Sequence, residues 1–552
     1  MITSFDILLC CTLLCLLFLF SFYMKSTKET YFTFTANYWL IGSSLMAANI
    51  GSEHFVGQIA AASSTGMGVV LYEWYAAYLL LLLGWVFCPY YRDMTTVPEY
   101  IESRYDKTTR VLCAFITLFA ATVVKISASV YAASILFETI LGWDAQLSVA
   151  LVLVFTGLYT IVGGLSAIMW TDLVQLCVFL IGGLTASVIC LNVFGGFFNL
   201  IDLYYMTDNG YLLKLFRGLD DPHYSPLGML VGQGIASIWY WNLDQEMCQR
   251  ANSGKTIDDS RLGTAIAGFL KLLPFFIIVI PGLTARMLYE TCIQGIDIPG
   301  NEKWCLLDMS DGEEANKAYA YLLIHLFPTG LSGIILGAIF ASMTASLSAC
   351  FHASSTVFSL DVYKRIIRPK ATHSELVNVG RLFTALMILV GIVWTKILKS
   401  QHESIYLVTQ MVMNHISPVL TTVVVWGMIT PRITSLAANT GLILGSLLGC
   451  IRLCIHLMSK EVCNQFSTPT HLGGPLFACM HFNHFSILLS GVVTVLIWFI
   501  SLIQPENHKI TPPLKFIKES RRSPLFQRVT TITSMALFIC VTSLILIFHF
   551  AF

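Results

Sequence analysis

Charge is scarce in this sequence. Of 552 residues, 12% are Asp, Glu, Lys or Arg, while 56% are hydrophobic and the mean hydropathy is +0.72. An ordinary soluble protein carries about 25% charged residues. Basic and acidic residues balance at 32 each, which argues against nucleic acid as a partner, since that requires a basic excess. The 16 cysteines contain no CxxC pair and no Cys/His ligand spacing, which excludes a zinc-knuckle signature. No N-x-[ST] acceptor occurs, so N-glycosylation is not expected. No nucleophile–base pair, metal site or phosphate loop stands out, which argues against an enzyme and against a bound cofactor.

What the sequence does have is apolar runs of about 20 residues, the length that crosses hydrocarbon, along the whole chain. Fourteen candidate spans lie near 5–24, 36–61, 66–89, 110–139, 145–163, 165–196, 226–245, 262–287, 319–356, 376–397, 403–429, 436–457, 483–503 and 527–551. This pattern predicts an all-α, polytopic membrane protein. The first run follows "MITSFD", which has no basic residue, and precedes Lys25 and Lys28, so it reads as a retained span with its N-terminus outside. With that orientation, about 21 of the 32 basic residues fall in cytoplasmic segments and about 9 outside, as the positive-inside bias requires. Both termini are then expected outside. The stretch 504–528 becomes a cytoplasmic linker. Cys292 with Cys305, and Cys463 with Cys479, fall in outer loops where oxidation can pair them.

Several of these spans carry polar groups at mid-depth. "AANIGSEHFVGQ" places Asn49, Gly51, Ser52, Glu53 and His54 halfway along the second span. A carboxylate left unpaired there costs roughly 3 kcal/mol or more. Irregular backbone in a membrane survives only inside protein or against a wet cavity, so the run predicts a helix broken at the midplane to serve a ligand or ion. Glu73 stands in "VVLYEWYAAYLLLLLGW", and "ASIWYWNLDQ" brings Ser237, Trp239, Tyr240, Trp241, Asn242, Asp244 and Gln245 together. Lys271 in "AIAGFLKLLPFF" lies about 14 Å into its span at 1.5 Å per residue, too deep to snorkel. Gln410 in "IYLVTQMVMN" adds an amide. Singly, such residues are as readily helix-packing or ion-pair features. Together, amide, carboxylate, ammonium and aromatic groups suit a neutral polyhydroxy compound, with rings covering its apolar face. A second cluster, "ASMTASLSACFHASS", repeats hydroxyls at Ser342, Ser346 and Ser348. It could offer oxygens to a hard cation such as sodium, or simply let helices pack closely.

The landmarks "ANIGSEHFVG", "LYEW", "TVPEYIESRY", "YTIVGGLSAIMWTDLVQ", "SIWYWNLDQ", "GFLKLLPFFIIVIPG" and "SSTVFSLDVYKR" resemble the sodium–solute symporters, in particular sodium–glucose cotransporters and their inositol-carrying relatives. The resemblance runs from about residue 30 to 500. It implies a LeuT-like fold of about 14 transmembrane helices, ten of them in two inverted five-helix repeats, each opened by a broken helix. A first helix and loop over 1–35 would precede a transport core at 36–429, and further helices at 430–552 would follow. By this resemblance the sugar contacts fall on Asn49, His54, Glu73, Tyr240, Trp241, Lys271 and Gln410. Tyr72 and Tyr406 match outer-gate positions, and Tyr240 also the inner gate. Sodium ligands would come from the Ala47 and Ile50 carbonyls with Ser342 and Ser346, and Asp172 would stand near the inner sodium path. Three positions depart from the pattern. Ala345 replaces a hydroxyl residue at the sodium site, Ala48 and Ala349 stand where a second site would want hydroxyls, and Glu53 occupies a place where glucose carriers often have Gly. The expected function is plasma-membrane uptake of a hexose on a sodium gradient, with at most one sodium per sugar. A myo-inositol or other polyol carrier, and a sugar-gated sensor or channel with weakened coupling, remain open as alternatives.

Overall fold

The computed structural model describes residues 3–24, 31–219, 221, 223–298, 301–394, 404–458, 480–504 and 523–552. The described residues are helical, apart from loops and one isolated parallel bridge between Ala36 and Gly254. Eleven of the helices are long and apolar enough to cross a membrane. Two further segments cover comparable lengths in pieces, and these are the broken helices.

The first broken helix starts at Tyr38–Asn49, where the Asn37 side chain caps it by accepting from the Leu40 amide at 2.9 Å. At Ile50 the backbone leaves the helical region (ψ 107°). The Gly51 N–H, which a continued helix would direct to the Ala47 carbonyl, donates instead to His54 Nδ1 at 3.2 Å. The chain resumes as a π turn at His54–Gln58 and then Ile59–Thr65, and Gly66 ends it at φ +89°. A side chain at Gly66 would strike the Leu212 carbonyl 2.2 Å away.

The second broken helix runs Gly228–Gln233, Gly234–Ile238 and Trp239–Leu243, breaks at Asp244, and continues as Gln245–Ala251. Asp244 makes the break by capping the last piece, its carboxylate accepting from the Glu246 amide at 3.0 Å. The loops flanking the two broken helices are pinned together where the Ala36 amide donates to the Ser253 carbonyl at 2.7 Å.

Between the broken helices lies Leu331–Val357, buried along nearly its whole length because Gly, Ala and Ser let its neighbours close in. The helices Ser4–Tyr23, Ser435–Met458, Phe482–Ile503 and Pro524–Ala551 sit at the periphery and expose apolar side chains such as Leu8, Leu447, Val495 and Ile532. The N-terminal helix is nonetheless anchored. Buried Asp6 accepts from the Gly330 and Gly333 amides (2.7 and 2.9 Å), capping the helix Leu331–Val357 from outside.

One expected span differs in detail. Residues 319–356 form two helices, Ala318–His325 and Leu331–Val357, because Pro328 and Gly330 (φ +86°) break the run. The spans 145–163 and 165–196 are two helices within Ala145–Val193, divided at Gly164, where the backbone leaves the helical region (φ +67°, ψ −177°). Cys292 and Cys305 are joined in a disulfide. Cys463, Cys479 and most of the 504–528 linker lie outside the described residues.

Candidate functional site

The broken backbones leave room for a cavity whose empty space, open solvent at its mouth included, is about 930 Å³. Asn49, His54, Glu73, Tyr240, Trp241 and Gln410 line it, as do Tyr72 and Tyr406. Six of the seven expected substrate residues therefore share one space.

Lys271, the seventh, lies behind the wall. It is 1% exposed, its Nζ reaches Glu73 Oε2 at 2.5 Å and donates to Asn49 Oδ1, and it sits 5.1 Å over the Trp241 ring. Apolar neighbours on its own helix cannot solvate an ammonium at this depth, so it takes the nearest carboxylate and amide. Its effect on the cavity is exerted through them. Asn49, with its oxygen held by Lys271, turns its NH₂ to the Tyr240 hydroxyl at 2.9 Å. Glu73 is further held by Gln58 Nε2 at 3.2 Å. His54 Nδ1 meets the Gly51 amide at 3.2 Å and lies 3.5 Å from Glu53 Oε1, while its Nε2 faces Glu73 Oε1 at 3.5 Å. The wall is thus a single network of donors and acceptors in fixed directions.

Aromatic rings close it. Tyr72 meets Tyr406 edge-on at 5.4 Å, and Tyr406 packs on His54 at 5.5 Å. Gly57 permits this, since a side chain there would lie 2.4 Å from the Tyr406 amide nitrogen. At the other end Tyr240 stands edge-on to Trp241 at 5.1 Å.

The cation candidates do not all gather in one place. Ser342 donates to the Ile50 carbonyl, joining the central helix to the first break, and Ala47 contributes the carbonyl that the Gly51 amide bypasses. Ser346 lines the cavity, whereas Ala345 is fully buried, has no side-chain oxygen, and has its carbonyl taken by the Ser348 hydroxyl at 2.9 Å. Thr344 cannot replace it. Its hydroxyl donates to the Phe340 and Ala341 carbonyls (3.0 Å each) and accepts from Gln175 at 2.9 Å. Asp172 lies off the cavity, accepting from Ser44 at 2.5 Å and paired with buried Arg250 at 3.4 Å. Among the described residues no group of three or more His, Cys, Asp or Glu is arranged to hold a metal ion.

Sequence reasoning missed part of the lining. Lys125 pairs with Asp244 and with Glu246 (2.8 Å) and lies 4.6 Å over the Tyr240 ring, tying another helix to the second break. A lysine deep in a span was the available signal. Glu53 accepts from Ser129 at 2.8 Å, and Gln233 lines the cavity beside Gln410. Neither Ser129 nor Gln233 stands out from its surroundings in the sequence.

The sodium:solute symporter family profile matches residues 35–445. The chain belongs to the sodium:solute symporter family. This symporter is 32% identical over 514 residues to sodium/myo-inositol cotransporter 2 of Oryctolagus cuniculus, covering 89% of this chain and 74% of the relative. It is 31% identical to sodium/glucose cotransporter 1 of Sus scrofa over 514 residues, covering 88% and 76%. It is 29% identical to sodium/glucose cotransporter 4 of Danio rerio over 494 residues, covering 86% and 74%. Its fold is shared with a solved sodium-coupled sialic acid symporter in a substrate-bound outward-open state, with a TM-score of 0.74 at 17% identity, covering 92% of this chain and all of that one. The symporter is therefore a multi-pass membrane transporter with a LeuT-like architecture, and sodium is its co-transported ion.

Proposed function

We propose that this symporter carries a hexose of the glucose or galactose type into the cell across the plasma membrane, by alternating exposure of the cavity between the two broken helices. The observation that carries this reading is the composition of the cavity wall. Asn49, His54, Glu73, Gln410 and the Tyr240 hydroxyl supply donors and acceptors of both kinds, and Trp241 supplies a ring face. The Glu73 carboxylate is paired with Lys271 and that of Glu246 with Lys125, so the wall suits a neutral ligand better than an ion. Asn49, His54, Glu73, Tyr240, Trp241 and Gln410 are read as substrate contacts, Lys271 as their support, and Tyr72, Tyr406 and Tyr240 as gates. The Ala47 and Ile50 carbonyls with Ser342 and Ser346 are read as the sodium ligands. Asp172, held by Arg250, serves the path toward the cytoplasm. The transport core is taken as 36–429, and the basic-residue bias places both termini outside.

Glu53 favours a second reading. Its carboxylate lines the cavity and adds an acceptor that a compound with a hydroxyl on every carbon would use, as myo-inositol has. Tracer uptake in cells expressing the chain, comparing glucose, galactose and myo-inositol with and without sodium, separates the two. Sodium-dependent hexose uptake exceeding inositol uptake supports the first reading. The reverse order supports the second, and a sugar-evoked current without tracer uptake would overturn both.

A further inference from the structure

Gln410 does not stand alone in the cavity wall. Beside and behind it runs a chain of amides whose directions can be read from one fixed end. The Asn414 side chain places Nδ2 2.8 Å from the Gln410 main-chain carbonyl, a group that only accepts, so the NH₂ of Asn414 must lie on that side. Its oxygen faces the other way and takes the Ser486 hydroxyl at 2.6 Å. The same Asn414 NH₂ donates to Gln233 Oε1 at 3.1 Å. Gln233 therefore turns its own NH₂ outward, donating to Ser237 Oγ at 3.0 Å and to Gln410 Oε1 at 3.1 Å. Asn414 and Ser486 are fully buried and Gln233 is 4% exposed, so water does not compete for these bonds. With its oxygen taken by Gln233, Gln410 has its NH₂ on the side of the Tyr406 hydroxyl and the cavity, where one of its two protons is left to meet a ligand.

We propose that Gln233 is a positioning residue that sets the polarity of Gln410, so that this wall of the cavity donates to an acceptor atom of the substrate. The inference rests on the cavity being a hexose or polyol site. It identifies a specificity element supplied by a residue that need not bond the substrate itself. An amide free to flip would serve a donor or an acceptor equally, whereas this one is held to a single sense by three bonds in series.

Uptake of tracer hexose and inositol by the unaltered chain is measured first. If neither enters, the reading of the site fails and this inference falls with it, before any variant is made. Competition is then measured with monodeoxy and monofluoro-deoxy analogues at each hydroxyl, since fluorine accepts weakly and cannot donate. In the unaltered chain, at one position the fluoro analogue should compete better than the deoxy analogue. In Gln233→Glu, the carboxylate accepts from Asn414 and also requires a donor from Gln410, which must then turn its carbonyl to the cavity. At that same position the fluoro analogue should weaken by about tenfold relative to the parent sugar, the value of about 1.4 kcal/mol for one hydrogen bond. Gln233→Met, which releases Gln410 without charge, should shrink the gap between fluoro and deoxy analogues. It decides the matter on the same readout if the Glu variant fails to reach the surface. A residue that only packs would change surface amount or overall uptake and leave the analogue order intact. Analogue series that superimpose on the unaltered chain in both variants, or in Gln233→Met alone if only it reaches the surface, would overturn the proposal while leaving the sugar site standing.

Discussion

Lys271 and Glu73 come from different helices and meet at 2.5 Å behind the cavity wall, both nearly sealed from solvent. Neither charge is stable alone at that depth, so each explains the other. Lys271→Met should destabilise the protein by roughly 3–5 kcal/mol, because it leaves a buried carboxylate uncompensated. The double variant Lys271→Met/Glu73→Gln should recover most of that loss without recovering sugar affinity. Thermal unfolding in detergent, read beside sugar uptake, checks both. A single variant as stable as the parent would show that the pair is not what holds the wall.

The proposed sodium position lacks a side-chain oxygen at Ala345, which is buried on the same helix as Ser342 and Ser346. Ala345→Ser should lower the sodium concentration for half-maximal uptake by about fivefold, the worth of about 1 kcal/mol from one added oxygen contact. Ser346→Ala should raise it. Sodium activation curves that neither change moves would place the cation elsewhere.

The disulfide Cys292–Cys305 closes a short loop, with 13 residues of sequence separation. Replacing both cysteines with Ser should reduce stability by about 3 kcal/mol, the chain-entropy figure for a loop of about this size. The unfolding midpoint of the parent should fall on adding reductant, and that of the variant should not respond.

Glu102, in the helix Val97–Arg104 between spans, is bridged by Arg110 at 2.7 Å and Arg365 at 2.6 Å. Burial would raise its pKa, but these hydrogen bonds and charges outweigh burial and hold it below the usual carboxylate value. A depressed carboxylate contributes stability that is present above its unfolded value of about 4.3 and lost as pH falls through the folded one. Glu102→Gln should therefore lower the unfolding temperature at neutral pH and make it fall less steeply in acid. A parallel pair of pH curves would contradict the assignment.

The parts of this site that were legible in the sequence were those where a polar group interrupts an apolar run. Asn49, Glu73, Lys271 and Gln410 each break a hydrophobic span, and in a membrane such a break needs a reason. The break at Ile50–Gly51 announced itself the same way. Which side of the wall a residue takes was not legible, because that depends on a partner from another helix, and this is how Lys271 came to lie behind the cavity. Gln233 and Ser129 were hidden for the same reason, since a lone amide or hydroxyl in a span is ordinary until its neighbours are known. The division of 319–356 into two helices lay in Pro328 and Gly330, but hydropathy carries across that short gap and masked it.

The central claim, sodium-driven uptake of a neutral sugar with at most one ion per molecule, is tested most directly by measuring inward charge and tracer sugar in the same voltage-clamped cell. No more than one positive charge should enter per sugar, and both fluxes should vanish when sodium is removed. Two charges per sugar, or sugar uptake that persists undiminished without sodium, would contradict the account.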